Sequence, residues 1–334
     1  MPDVVLPIAN GFYISDSLPI SAQECVNWYP NIVQAPALSQ ETLFGTPGLV
    51  QQATTGTLTE DINRGSLTFK GLAYFVNGAS LYRMNEDNSI DTLGTVSGTG
   101  RVSIVKNNSQ IMILVPGGAG YIFTTGPDTF TTITDGDFDA SGNPQYVVFV
   151  DGYFCCTTDE NKFVVSALND GLAWDALDFG SAESSPDNIT APFVYRNQLF
   201  IGGEDTIEGQ NNIGGADFPF QRSGLFFDKG IFAPFSIVNT QDSVMFIGGG
   251  KDESPAIWSV QGNAVTKVST TAIDSILQGF TEDEINNAFG WAYAQKGAYF
   301  AGFTLPNTTL VFDSISGRWH ERKSRITTNN VTEI

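Results

Sequence analysis

The sequence has little of what most enzymes and nucleic-acid binders depend on. It contains one histidine, His320, and three cysteines, Cys25, Cys155 and Cys156. A single imidazole and scattered thiols give no zinc-ligand spacing. A Ser/His/Asp triad would have to use His320, and no G-x-S-x-G elbow is present to offer the serine. His320 lies in Arg318-Trp319-His320-Glu321-Arg322, where bulky and charged residues mix as they do at an exposed strand end. Three cysteines make no disulfide framework. Cys155 and Cys156 are adjacent in an apolar run, so a strand there points them to opposite faces as small core residues.

Cations are also scarce. Lys and Arg total 16 against 36 Asp and Glu, for a formal charge of -20. Binding to duplex phosphates takes a basic stripe, and the densest basic group is only Arg318, Arg322, Lys323 and Arg325. Conventional DNA or RNA binding is therefore not expected. No stretch approaches the roughly 18–20 apolar residues of a membrane span. The opening MPDVVLPIANGFY lacks a basic n-region and an apolar h-region. The expectation is a protein made in the cytoplasm without a membrane-spanning segment.

What the sequence does hold is Phe, 25 times, and Gly, 35 times. Flat apolar side chains separated by frequent Gly suit packed sheets joined by tight turns, because Gly supplies the positive φ of hairpins. From about residue 65 a unit recurs: apolar strand, polar or Gly-rich turn, apolar strand. Anchored on their core strands, the units fall at Tyr74, Ile111, Tyr153, Leu199, Met245 and Tyr299, with spacings of 37, 42, 46, 46 and 54 residues. Periods of this size with several short strands each are those of propeller blades. The predicted fold is an all-β β-propeller of about six or seven blades of short antiparallel strands; a β-sandwich is the alternative.

Three segments follow. Residues 1–60 carry Pro2, Pro7, Pro19, Pro30, Pro36 and Pro47 and no periodicity, which predicts an extended segment packing on the propeller or on a neighbouring subunit. Residues 61–326 form the propeller, and 327–334 a C-terminal tail too short for a blade. Within 271–288, Ile273, Ile276, Leu277, Phe280 and Ile285 follow helical spacing, and Thr281 with Glu284 makes a capping box. This predicts a short helical insertion, broken at Gly279.

Two kinds of site are worth testing. Asp135, Asp137 and Asp139 begin like a calcium loop, but Ala140 stands where Gly should and Tyr146 where Glu should, so a solvated acidic turn is the plainer expectation. Exposed aromatics such as Trp258 and Trp319 suggest an alternative function, a carbohydrate-active or carbohydrate-binding propeller at the bacterial surface. The turns Asp170-Gly171-Leu172-Ala173-Trp174 and Ser314 to Trp319 approach a sialidase-type repeat, yet the first lacks its Ser and the second its Asp. No residue is assigned as catalytic, cofactor-binding or metal-binding, and no cofactor is expected.

Several segments together resemble the packaged-DNA stabilisation family of podovirus tail proteins, the tail hub or nozzle proteins. Cys25-Val26-Asn27-Trp28-Tyr29-Pro30 followed by Leu43-Phe44-Gly45-Thr46-Pro47-Gly48-Leu49 looks like that family's opening. Trp174-Asp175-Ala176-Leu177-Asp178-Phe179 leading into Ala182-Glu183-Ser184-Ser185-Pro186-Asp187 is similar to a further stretch. Asp217-Phe218-Pro219-Phe220 with Arg222, then Ile273 to Leu277 and Trp319-His320-Glu321-Arg322, continue the likeness in order.

The resemblance implies a non-enzymatic virion subunit, assembled as a hexameric ring below the portal and its adaptor. Its neighbours would be the head-to-tail connector and the tail needle or fibre and spike proteins. Packaged DNA would pass through the lumen without tight binding. An acidic wall suits sliding DNA, with Glu86, Asp87, Asp135, Asp137 and Asp139 as its candidate residues. Family members usually continue past the Trp319-His320-Glu321-Arg322 segment. The expectation is that an N-terminal strand closes the ring, or that part of the protein is absent here.

Overall fold

In the computed structural model the described residues are 11–14, 22–32, 41–55, 62–182, 187–215, 218–324, 326–328 and 331–333. Pro2, Pro7, Pro19, Pro36, Arg325, residues 183–186 and Asp217 lie outside them.

The fold is an all-β propeller of six blades, each a run of four consecutive antiparallel strands. Blade one is β5 (Asn63–Phe69), β6 (Leu72–Asn77), β7 (Ser80–Met84) and β8 (Ile90–Thr95). Blade two is β9 (Ser103–Lys106), β10 (Gln110–Leu114), β11 (Gly120–Thr124) and β12 (Thr129–Thr132). Blade three is β13 (Pro144–Val150), β14 (Tyr153–Thr158), β15 (Lys162–Ala167) and β16 (Asp170–Ser181). Blade four is β17 (Ile189–Tyr195), β18 (Gln198–Gly203), β19 (Ile207–Asn212) and β20 (Phe220–Phe227), followed by the short β21 (Gly230–Ile231). Blade five is β22 (Val238–Asn239), β23 (Val244–Gly249), β24 (Ala256–Gln261) and β25 (Ala264–Lys267). Blade six is β26 (Phe289–Gln295), β27 (Ala298–Thr304), β28 (Thr309–Asp313) and β29 (Arg318–Arg322). All six sequence anchors fall on the second strand of their blades.

By compactness the chain divides into Val50–Ile231 and a second unit made of Met1–Leu49 with Phe232–Ile334. In the first unit, neighbouring blades share their cores. Strand β10 is buried on both faces because its side chains alternate. Ile111 and Ile113 join Val76, Leu81 and Phe123, while Met112 and Leu114 join Phe154, Cys156 and Trp174. Cys155 points the other way, to Leu199 and Ile201. Each such buried side chain contributes about 1.5–3 kcal/mol, and each cluster combines residues of two neighbouring sheets, so the blades stabilise one another.

Local chemistry sets the turns and edges. Asp151 (φ 50) and Gly152 (φ 93) both take positive φ in the two-residue turn from β13 to β14, the geometry that matches strand twist. Pro144 and Pro192 sit in first strands, where one edge needs no ladder donor. Gly302 pairs with Trp291, and a Cβ there would lie 2.3 Å from the indole, so only glycine lets that ring lie flat.

In the second unit, helices α1 (Thr271–Leu277) and α2 (Glu282–Asn286) stand between blades five and six. The Thr281–Glu284 capping box is formed in both directions. Ile273, Leu277 and Ile285 pack with Phe303 and Trp319 in one core. This insertion accounts for the longest spacing of the repeat. Two small hairpins belong to the N-terminal segment: β1 (Tyr13–Ile14) with β2 (Ala22–Gln23), and β3 (Trp28–Ile32) with β4 (Glu41–Gly45). Strands β30 (Ile326–Thr328) and β31 (Val331–Glu333) pair near the C-terminus. Among the described residues each blade is built on four consecutive strands of its own, and the N-terminal segment adds the isolated Val26–Glu321 bridge to the outer strand of blade six.

Candidate functional site

Two motifs nearly three hundred residues apart in sequence meet at the outer strand of blade six. Val26 forms a parallel bridge with Glu321. The Glu321 amide donates to the Cys25 carbonyl at 2.8 Å, and the Asn27 amide donates to the Glu321 carbonyl at 2.9 Å. Asn27 takes φ 56, a conformation its short polar side chain tolerates, and this turns its amide group toward the strand. Its Nδ2 donates to the Lys323 carbonyl at 2.8 Å, and its Oδ1 accepts from the Lys323 amide at 3.0 Å. The Phe12 amide donates to the Trp319 carbonyl at 2.7 Å, and Arg318 pairs with Glu41 at 2.6 Å. The N-terminal segment is thus clasped to the last blade by backbone, amide and ion-pair contacts together.

This clasp corrects the sequence-based placing of Trp319 and His320 at an exposed strand end. Both are buried. A strand covered on one face alternates in and out, but β29 is covered on both. Trp319 enters the helix-side core, where it contacts Phe312 at a 5.1 Å centroid distance and donates its Nε1 hydrogen to the Val268 carbonyl at 3.2 Å. His320 points the other way, edge-on to Phe300 at 5.5 Å and beside Tyr29 of the N-terminal hairpin at 6.2 Å. A buried Trp319 offers no stacking surface to a sugar. Trp258, by contrast, is half-buried.

His320 is also held in its neutral form at neutral pH. Burial first, and the nearby Arg322 charge second, push its pKa down to about 3. In the unfolded chain the imidazole regains its ordinary value near 6.5. The unfolded state therefore binds the extra proton below that pH, and the native state does not until about 3. Stability should fall as pH drops from about 6.5 to about 3, by roughly 1.4 kcal/mol per pH unit at most, and level off below. Carboxylates titrate in the same range, so the measurement is a comparison. Urea unfolding of the parent and of a His320→Gln variant across pH 3–7 should show the variant with the flatter slope; equal slopes would refute the assignment.

Of the three aspartates that begin like a calcium loop, Asp135 serves the backbone. Asp135 accepts from the Asp137 amide at 3.1 Å with one oxygen and from the Trp174 amide at 2.9 Å with the other. Between them Phe138 drops into the core against Trp174, with ring centroids 4.8 Å apart. Among the described residues no three His, Cys, Asp or Glu side chains converge as a metal site.

The candidate wall acids do not form one patch. Glu86 and Asp87 lie in the β7–β8 turn, whereas Asp135, Asp137 and Asp139 lie in the connection from β12 to β13. Because strands alternate in direction, those two positions are at opposite ends of their blades. The end that holds the β12–β13 connection also carries Asp159, Glu160, Glu204 and Asp205 in second-to-third-strand turns. The first strands of all six blades carry no carboxylate at all. Among the described residues the carboxylates lie on turns, connections, third and fourth strands, the two helices and the terminal hairpins.

Exposed apolar residues concentrate on the N-terminal hairpin and just beyond it. Trp28, Ile32, Leu43 and Phe44 are exposed, and Leu49 and Val50 are almost wholly so. Sequence reasoning missed Arg64, on β5. It is buried and donates to four backbone carbonyls. Nothing in its neighbours Asn63 and Gly65 marks it, since its acceptors lie in two later loops.

Comparison with known proteins places this architecture. A family model described as "Bacteriophage P22 Gp10, beta-propeller" matches residues 4–331. A search of curated proteins finds no match. Among solved structures, the extracellular domain of the hybrid two component system BT4673 of B. thetaiotaomicron is similar, with a TM-score of 0.50 and 11% identity over 79% of this chain and 33% of that one. YCF48 of Cyanidioschyzon merolae is similar too, with a TM-score of 0.50 and 10% identity over 80% of this chain and 86% of that one. The chain spans about a third of the length of the first of these, and likeness at such identity shows the fold alone.

Proposed function

Since the chain belongs to the phage stabilisation family typified by the P22 Gp10 β-propeller, a structural family of the phage particle, we propose that it is a tail-nozzle subunit of a short-tailed phage. In this reading copies of the chain form a ring, a hexamer, below the portal and adaptor. The ring extends the DNA channel and retains the packaged genome until ejection. Its partners are itself, the head-to-tail connector, the tail needle or fibre and spike proteins, and DNA in transit. It carries out no catalysis.

The observation that carries the reading is the extent of the family match, which takes in the N-terminal hairpin and all six blades. The charge supports it. A surface at -20 with no basic stripe gives duplex DNA nothing to hold, as a conduit requires. The N-terminal segment supports it as well: one side is clasped to blade six, and the other leaves Trp28, Ile32 and Leu43 exposed for a neighbour.

Electron microscopy with class averaging tests the proposal, on the purified protein alone and mixed with virions stripped of their tails. Rings with a central hole, or density added at the portal vertex, are expected. Monomers that never add to a tailless head would reject the nozzle role.

A further inference from the structure

The second unit contains an open hollow of about 400 Å³ between β24, β25 and α1. That volume lies within the ordinary range for small-ligand sites. Its wall is apolar, formed by Trp258 and Pro255, and its rim is polar, formed by Glu253, Lys267, Asp274 and Gln278. None of these residues takes part in the clasp on blade six.

The polar groups are held in place before any ligand arrives. The Trp258 indole donates to the Gly248 carbonyl at 3.0 Å, which fixes the orientation of the ring. Asp274, itself nine-tenths buried, accepts from Ser269 Oγ at 2.5 Å and from Lys267 Nζ at 2.6 Å. Glu253 accepts from the Gly250 amide at 2.9 Å. Sites arranged this way lose little side-chain entropy on binding.

The charges select the class of ligand. An anion would face Glu253 and Asp274 on a chain at -20. A guanidinium or ammonium group would face Lys267 on the rim. A neutral polyhydroxyl compound needs both donors and acceptors, and the rim supplies Lys267 and Gln278 with Glu253 and Asp274. The C–H face of a pyranose is flat and apolar, as the wall at Trp258 is. We propose that this hollow binds a short neutral saccharide, with Trp258 as the contact surface for one sugar ring and the rim as the partner of its hydroxyls. The inference goes beyond the nozzle reading and stands independently of it; it would give the particle a contact with neutral glycans of the bacterial surface.

Saturation-transfer NMR on the full chain tests it, with maltotriose, cellotriose, mannotriose and a galactose trisaccharide as probes. Transfer to ring C–H protons of at least one probe is expected, with none to a glucuronic acid trisaccharide. Trp258→Ala should abolish it. Gln278→Ala and Glu253→Gln, milder changes that keep the tryptophan, should each weaken binding about tenfold, the worth of one hydrogen bond to a fixed polar group. Silence across the whole neutral panel, or transfer unchanged in Trp258→Ala, overturns the proposal. Trp258→Ala should still join tailless heads as the parent does, so loss of sugar binding and loss of assembly are read separately.

Discussion

An Arg64→Met protein is expected to lose about 3–5 kcal/mol of unfolding free energy, the range for breaking a buried, fully engaged charged group. Arg64 is almost wholly buried, and its guanidinium spans two loops. Nε donates to Gly100 at 2.5 Å, Nη2 to Ser97 at 2.7 Å, and Nη1 to Gly78 at 3.0 Å and Val96 at 3.3 Å. Gly78 lies in the β6–β7 turn and the others in the connection from blade one to blade two. One side chain therefore ties that turn to the crossing that starts the next blade. Burial lowers its pKa, yet an arginine stays charged, so the carbonyl dipoles must carry the compensation.

Methionine fills similar space and leaves four carbonyls without their donor, each a desolvation cost of about 1–3 kcal/mol where water does not return. Lysine should recover only part of the loss, because one ammonium cannot span the fork's four directions. Chemical denaturation of the three proteins decides it. An Arg64→Met midpoint and slope matching the parent within about 1 kcal/mol would mean water replaces the guanidinium and the tie is unimportant.

Removing residues 1–49 is expected to do comparable damage from the other direction. The segment contributes Phe12 and Cys25 to the core around Trp319, and Tyr29 to the cluster with Phe300 and Val311. At about 1.5–3 kcal/mol per large apolar side chain, the shortened chain should lose on the order of 5 kcal/mol. It should also expose Trp319 and His320. A local readout accompanies the global one. The Glu321 amide donates to Cys25 and the Lys323 amide to Asn27, so hydrogen exchange at both should become fast. Asn27→Ala should speed exchange at Lys323 while leaving the fold intact. Unchanged protection at Glu321 and Lys323 in the shortened chain would show that the clasp does not hold β29.

The second result bears on assembly, because the clasp presents the hairpin's exposed face. If copies of the chain meet through Trp28, Ile32 and Leu43, a loosened clasp would cost ring formation before it cost the blades.

The repeat was legible because its signal is local. Alternating apolar residues around Gly-rich turns need no knowledge of distant contacts, and all six anchors, from Tyr74 to Tyr299, lie on second strands. The helical insertion was legible for the same reason, as Thr281 and Glu284 cap one another within a single turn. Strand β3 was less so, since Pro30 argues against a strand; the structure accommodates it in a two-stranded hairpin at the margin of the sheet.

What the sequence by itself determined is therefore the all-β repeat, its blade spacing and the broken helix. Only the tertiary structure decided that Cys25–Pro30 and Trp319–Arg322 form one clasp, that His320 is buried and neutral, and that Arg64 holds two loops. It alone decided that Asp135 accepts from the Trp174 amide, thirty-nine residues away. These are long-range facts: each depends on which loop or strand a side chain meets after the blades pack. Periodicity fixes the face to which a residue points and leaves open what covers that face.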